Sequence, residues 1–314
     1  MVSVLTYVLT TRAERERRPP AIAIAWVLGL IAFPYLVLPM YLMFGRRKLP
    51  RRTSGWSGRR SYAQHWAEDL IESFGLPPAA PSRVTFHRDG AESHAALASI
   101  LQRANRRLDI CTYILGDDSL GREVTDLMIA SAERGVRVRF LIDGVGALQL
   151  SRARFTELQD AGVETAIFSP LLARKTPGPR NLRNHRKLAV ADGERLWAGG
   201  RNLAAEYFMG RNGIAPWLDL SFGLAGPTAA SAALQFEADW KAAGGKPAET
   251  VPASEPQYAH GHSQFLPSGP DQMEDTVHAL LIDACFQATR RILAVTPYFV
   301  PDVSLETAMR LAAR

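Results

Sequence analysis

Between Ala21 and Gly45 the chain reads AIAIAWVLGLIAFPYLVLPMYLMFG, with no charged residue across more than the ~20 positions that a helix needs to cross the hydrocarbon of a bilayer. A run of this kind is expected to form a transmembrane helix. Trp26, Tyr35 and Tyr41 carry amphipathic rings suited to headgroup depth, and Pro34 and Pro39 predict kinks that lipid tolerates. No small-residue cleavage pattern follows, and Arg46, Arg47, Lys48, Arg51 and Arg52 form a stop-transfer flank, so an anchor is expected rather than a cleaved signal. With Arg59 and Arg60, that cluster predicts the rest of the chain on the cytoplasmic side. Arg12, Arg15, Arg17 and Arg18, partly offset by Glu14 and Glu16, pull the other way. The segment VSVLTYVL ahead of them is too short to span.

The 314 residues, 47% hydrophobic and 22% charged, are enough for a substantial core in one large or two ordinary domains. The net charge of +6 favours an anionic partner without choosing between lipid and nucleic acid. Cys111 and Cys285 both sit in apolar stretches and are expected as buried core thiols. After a polar, Pro-containing stretch with one amphipathic helix expected around Ser61–Phe74, strand and helix patterns alternate. VTFHRDG reads as strand and turn, HAALASILQRANRR as helix, LDICTYIL as strand, REVTDLMIASAERG as helix closed by Gly135, and VRVRFLIDG as strand. This alternation predicts an α/β layer architecture.

Part of the pattern recurs. His94–Arg107, HAALASILQRANRR, is matched in register by His278–Arg291, HALLIDACFQATRR, and each is followed by a β-type run, LDICTYI and then ILAVTPYF. The chain is therefore expected to hold one copy of a unit and the start of a second, with Arg314 corresponding roughly to Arg134.

The chemistry concentrates in NHRKLAVADGERLWAGGRN, Asn184–Asn202, where His185-x-Lys187-x4-Asp192 precedes Gly199-Gly200-x-Asn202. LAVA is strand-like, so alternation predicts His185 and Lys187 on one face at the start of a strand. An imidazole so placed can attack a phosphodiester phosphorus while an ammonium neutralises the non-bridging oxygens. Asn202, on a glycine turn, can donate further hydrogen bonds to the phosphoryl group.

HxKxxxxD followed by GGxN is similar to the signature of the phospholipase D superfamily, and the surrounding words resemble bacterial cardiolipin synthases. Those words are RPPAIAIAW, LPMYLMFGRRKL, TYI at Thr112, LIDGVGA at Leu141, RNHRKLAVADG, GGRNLAAEY, WLDL at Trp217, SGPD and TPYFVPD. The resemblance implies a phospholipase D-like half domain, a mixed sheet flanked by helices, plus the beginning of a second pseudo-symmetric copy behind an N-terminal transmembrane helix. It divides the chain into an N-terminal segment 1–20, a transmembrane helix 21–45, a basic juxtamembrane connector 46–85, a first domain 86–250, and a linker with the start of the second domain, 251–314.

The activity implied is transfer of a phosphatidyl group from one phosphatidylglycerol to another through a phosphohistidine, giving cardiolipin, at a bacterial inner membrane with the catalytic domain in the cytoplasm. His185 would be the nucleophile, Lys187, Asn202 and Gly200 would bind the phosphate, Asp192 would be the mainly structural motif aspartate, and Asp219 would orient His185. No cofactor, metal or nucleic acid is implied; the partners are phosphatidylglycerol and anionic membrane lipids. Family enzymes bring two such motifs to one site, and this sequence holds one, because His260 and His262 in AHGHSQF lack the lysine, acid and glycine turn. A homodimer or a complementary second-half chain is the expected remedy. Another phospholipase D-type phosphodiesterase, and an inactive membrane protein retaining a phosphate-binding half-site, remain as alternatives.

Overall fold

The computed structural model describes residues 20–45, 65–170, 182–248, 261–269, 271–272, 275–296 and 298–314. The basic clusters on either side of the apolar segment, and His260, lie outside them. Pro34 decides the form of the apolar segment. It lacks an N–H and disfavours helical geometry in the residue before it, and Phe33 accordingly sits at φ −135°, ψ 61° between helix α1 (Pro20–Ala32) and helix α2 (Pro34–Phe44). The two fold back on one another. The Trp26 ring meets Tyr41 edge-on at 5.3 Å, Gly29 lets Val37 approach closely, and Leu30 and Tyr41 are buried between them. The single helix expected over Ala21–Gly45 is thus a helical hairpin, and among the described residues no helix is long and apolar enough to cross a membrane.

After a short amphipathic helix α3 (Trp66–Ser73), the body alternates as its periodicities predict: β1 (Ala80–His87), α4 (Gly90–Gln102), β2 (Arg107–Thr112), α5 (Ser119–Glu133), β3 (Arg137–Asp143), α6 (Arg152–Asp160), β4 (Glu164–Phe168), β5 (Leu188–Ala191), β6 (Arg195–Gly199), α7 (Ala205–Phe208), β7 (Ser221–Ala225), α8 (Pro227–Ala242) and β8 (Gly261–Ser263). The eight strands form one mixed sheet in the order β4-β3-β2-β5-β6-β7-β1-β8. β2, β3 and β4 run parallel and the remaining pairings are antiparallel. The sheet reaches beyond residues 86–250 at both ends, because Ala80–Ser82 pairs with Gly261–Ser263. His262, expected in a linker, is therefore on an edge strand opposite Pro81.

Helices cover both faces, which is why the central strands are apolar on both sides. Ile110, Phe140, Ala189, Ala191 and Trp197 pack toward α4, α5 and α7, while Cys111, Leu141, Leu188, Val190 and Leu196 pack toward α8 through Phe236 and Trp240. Beneath α8 lies a fully buried Arg139, which donates to Asp109 at 2.7 Å and to Glu237 at 2.7 Å, its guanidinium 4.9 Å from the Phe236 ring centroid. The pairing directions bring the ends of β1, β2, β3, β4 and β6 and the starts of β5 and β7 to one edge of the sheet.

The recurring unit appears as α9 (Thr276–Gln287) and α10 (Val303–Ala312). Asp118 caps α5 by accepting from Gly121 N, and Asp302, the same distance beyond His278 as Asp118 is beyond His94, caps α10 by accepting from Leu305 N. The strand expected over ILAVTPYF does not form in the described part of that stretch. A strand is held by ladder bonds to a neighbour, and among the described residues none runs beside it.

Candidate functional site

His185 and Lys187 precede β5 at the edge where the strand ends gather. The ladder reaches them because Gly199 N donates to Lys187 O at 3.4 Å. Alternation then turns both side chains to one face, as their spacing predicts. Lys187 Nζ donates to His185 O at 2.7 Å and stands 3.0 Å from His185 Nδ1. The Tyr113 ring, just past β2, lies tilted against the imidazole with centroids 4.3 Å apart, and Lys187 Nζ is 5.4 Å from the same ring.

Burial and the neighbouring Lys187 charge hold His185 below the ordinary histidine pKa, with Asp143 opposing them. Burial lowers Lys187 to about 8, against the carboxylates of Asp219 and Asp143. At neutral pH the pair is therefore an ammonium beside a neutral imidazole. The ammonium can only donate, so Nδ1 accepts and the imidazole proton sits on Nε2.

The residues between and before these two face the other way. Asn184 N donates to Asp143 Oδ2 at 2.9 Å, and Asn184 Nδ2 donates to Asp239 Oδ2 at 2.9 Å. Arg186 Nη1 donates to Asp239 at 2.8 and 2.9 Å, while Nη2 reaches Asp271 at 2.6 Å and Ser268 O at 2.9 Å. The histidine and lysine are thus held from behind by a buried polar network. Sequence reasoning missed Asp143, Asp239, Arg186 and Tyr113. The signal available was the position of LIDG at a strand end and the recurrence of polar residues at alternate places in NHRK.

The glycine turn after β6 brings Asn202 to the same edge. Its side-chain Oδ1 accepts from Ile114 N at 3.3 Å, one residue beyond Tyr113, and Nδ2 has no protein partner among the described residues. Gly200, expected to bind phosphate, has its N–H committed to Leu220 O at 3.1 Å. Its contribution is space, because a Cβ there would collide with the carboxylate of Asp219. Asp219 accepts from Leu220 N at 2.7 Å and, among the described residues, makes no hydrogen bond to His185.

Asp192 is at the opposite end of β5, in left-handed geometry at φ 58°, and its carboxylate accepts from Asn105, Arg106 and Arg107 N at 2.8–3.3 Å. Burial would raise its pKa, and these amides with Arg195 outweigh that and hold it below the usual range. It fastens the chain entering β2. Among the described residues no group of three His, Cys, Asp or Glu side chains is arranged to hold a metal.

Comparison with known proteins bears on the family. Residues 97–240 match the model described as cardiolipin synthase, PLD-like domain, and residues 1–46 match the phospholipase D-nuclease N-terminal model. A cardiolipin synthase from Geobacillus sp. is 32% identical across 95% of this chain and 64% of its own length. Cardiolipin synthase A of Pseudomonas aeruginosa is 30% identical across 99% of this chain and 68% of its own length. The chain therefore spans about two thirds of the relatives it matches. Phosphatidylserine synthase of Haemophilus influenzae shares the fold, at TM-score 0.55 and 15% identity over 78% of this chain and 62% of that one. By the extent and identity of these matches, together with the motif whose geometry is described above, the chain belongs to the cardiolipin synthase family of the phospholipase D superfamily.

Proposed function

We propose that this site transfers a phosphatidyl group from one phosphatidylglycerol to the hydroxyl of a second, giving cardiolipin. In the first step a nitrogen of His185 bonds to phosphorus, the bond from phosphorus to the glycerol oxygen breaks, and glycerol leaves with a proton. In the second, a hydroxyl oxygen of another phosphatidylglycerol bonds to phosphorus as its proton passes to the group that protonated the glycerol, the phosphorus–nitrogen bond breaks, and the imidazole is restored. The observation that carries this reading is the contact of Lys187 Nζ with His185 Nδ1 at 3.0 Å, at the sheet edge that also carries Asn202, whose Nδ2 has no protein partner among the described residues. A cation and an amide donor beside one imidazole suit a phosphodiester anion.

The same contact defines the first event. An arriving phosphate draws the ammonium from Nδ1 to its own oxygens. Nδ1 can then carry the proton, with Asp219 as its acceptor, and Nε2 becomes the free nucleophile. The proton donated to the departing glycerol comes from a second motif, supplied by a second copy of this chain or by a chain bearing the complementary half. The apolar segment, residues 21–45, holds the protein in an anionic inner membrane, and the basic run that follows it places the sheet in the cytoplasm.

Membranes carrying the full chain, with and without a co-expressed partner bearing the second motif, are incubated with phosphatidylglycerol labelled in its phosphate. Cardiolipin formation and an acid-labile label on the protein are expected, and His185→Ala abolishes both, with a fall of at least ~10³-fold in turnover. Turnover that survives His185→Ala overturns the assignment of the nucleophile.

A further inference from the structure

The segment that joins the Asn202 turn to β7 is ordered yet strongly apolar toward solvent. Ile214 is 74% exposed, Trp217 61%, Leu218 99% and Leu220 56%, and they surround Asp219, whose carboxylate lies against Gly200 at the site. The loop is not loose. Arg211 and Ile214 exchange backbone hydrogen bonds of 3.1 and 2.9 Å, Trp217 N donates to Glu206 O at 3.1 Å, and the Trp217 ring stacks on Tyr207 with centroids 6.2 Å apart. Its charges between Gly210 and Leu220 are the exposed Arg211 and the half-buried Asp219. On the adjoining turn after β3, Leu148 is also 70% exposed, and Gln149 of that turn lines one depression with Arg211, Asp117, Asp118 and Glu206.

A cluster of exposed apolar side chains marks an interaction surface. Its composition, with aliphatic tips and an indole half withdrawn against Tyr207, suits the boundary between acyl chains and phospholipid headgroups. Position points to the same partner. A headgroup phosphate embedded in a bilayer reaches His185 only when the edge of the sheet that carries His185 lies against the bilayer surface, and this loop rims that edge.

We infer that the 210–220 loop, with Leu148 beside it, is a membrane-contact wedge that seats the site on a phospholipid surface. The inference rests on the phosphatidyltransfer reading for the lipid it brings to His185, and its test does not depend on turnover. The full chain bearing Leu218→Cys or, on the far edge of the sheet, Glu133→Cys is labelled with an environment-sensitive fluorophore, the native Cys111 and Cys285 being buried. It is reconstituted in nanodiscs of phosphatidylglycerol or of phosphatidylcholine alone, at one or two chains per disc, with lipids carrying a quencher at a shallow acyl position.

At one chain per disc, the Leu218 label is expected to be quenched at least ~2-fold in phosphatidylglycerol and in phosphatidylcholine, and the Glu133 label in neither. A Leu218 label that stays water-exposed in phosphatidylglycerol overturns the inference. So does a change that follows the number of chains rather than the lipid quencher, which would assign the loop to a protein contact. Leu218→Asp is further expected to raise the apparent KM for phosphatidylglycerol in vesicles ~10-fold while leaving turnover of a water-soluble phosphodiester unchanged. An unquenched label in a chain whose turnover still requires His185 rejects the wedge alone; a quenched label with turnover surviving His185→Ala rejects the nucleophile alone.

Discussion

At the scale of single residues, the arrangement of Lys187 and His185 makes the site sensitive to pH on both sides. In the proposed transfer, attack needs a neutral imidazole, and His185 titrates below its ordinary value of ~6.5, so activity should rise as pH climbs through a window below that value. In that proposal phosphate binding needs the Lys187 ammonium, which is lost near about 8. A bell-shaped kcat/KM profile is expected in the active assembly, and Lys187→Arg, whose guanidinium stays charged, should push the alkaline limb to higher pH. Asp192 belongs to stability instead. Its folded pKa is depressed, so its contribution is present above ~4 and is lost as pH falls through the lower folded value. Removing its carboxylate orphans the amides of Asn105, Arg106 and Arg107, and Asp192→Ala should lower unfolding free energy by about 3 kcal/mol in denaturant titration, with weaker acid sensitivity. The sequence distinguished these two roles only through the family resemblance; no spacing rule separates a motif aspartate that meets substrate from one that caps a strand entry.

Secondary-structure elements were legible where a local period was complete. HAALASILQRANRR and LDICTYIL carry one stripe and one apolar run, and they form α4 and β2. Pro34 was legible as a kink, but a sharp reversal depends on Gly29 admitting Val37 and on Trp26 meeting Tyr41, contacts that no window of sequence contains. The described part of the ILAVTPYF run has the composition of a strand and lacks a neighbour among the described residues, which composition does not supply. Arg139 was the least legible, since an arginine in VRVRFLIDG reads as solvent-facing until α8 closes over it. Arg139 sits in a buried network in which Asp109 also pairs with Arg107, so Arg139→Met should cost about 3–5 kcal/mol in chemical denaturation, and adding Asp109→Leu should deepen the loss by removing the carboxylate that Arg107 pairs with.

Across the whole molecule, Arg186 joins parts of the chain that the sequence keeps far apart. Its guanidinium ties the histidine–lysine segment to Asp239 on α8 and to Asp271 in the SGPD segment. Arg186→Ala is expected to raise amide hydrogen exchange across 261–272 while α4 and α5 stay protected; unchanged exchange there would show that the segment is held by other contacts. The sequence by itself determined the α/β alternation, the apolar segment and the HxKxxxxD–GGxN motif, because each is written in a short stretch of chain whose periodicity or residue order is visible locally. Only the tertiary structure decided which groups share the site. Tyr113, Asp143, Asp239 and Asp219 come from four separate places in the sequence. They meet at or behind the edge of the sheet because of the direction in which each strand is paired, and that direction is set by the packing of helices on both faces.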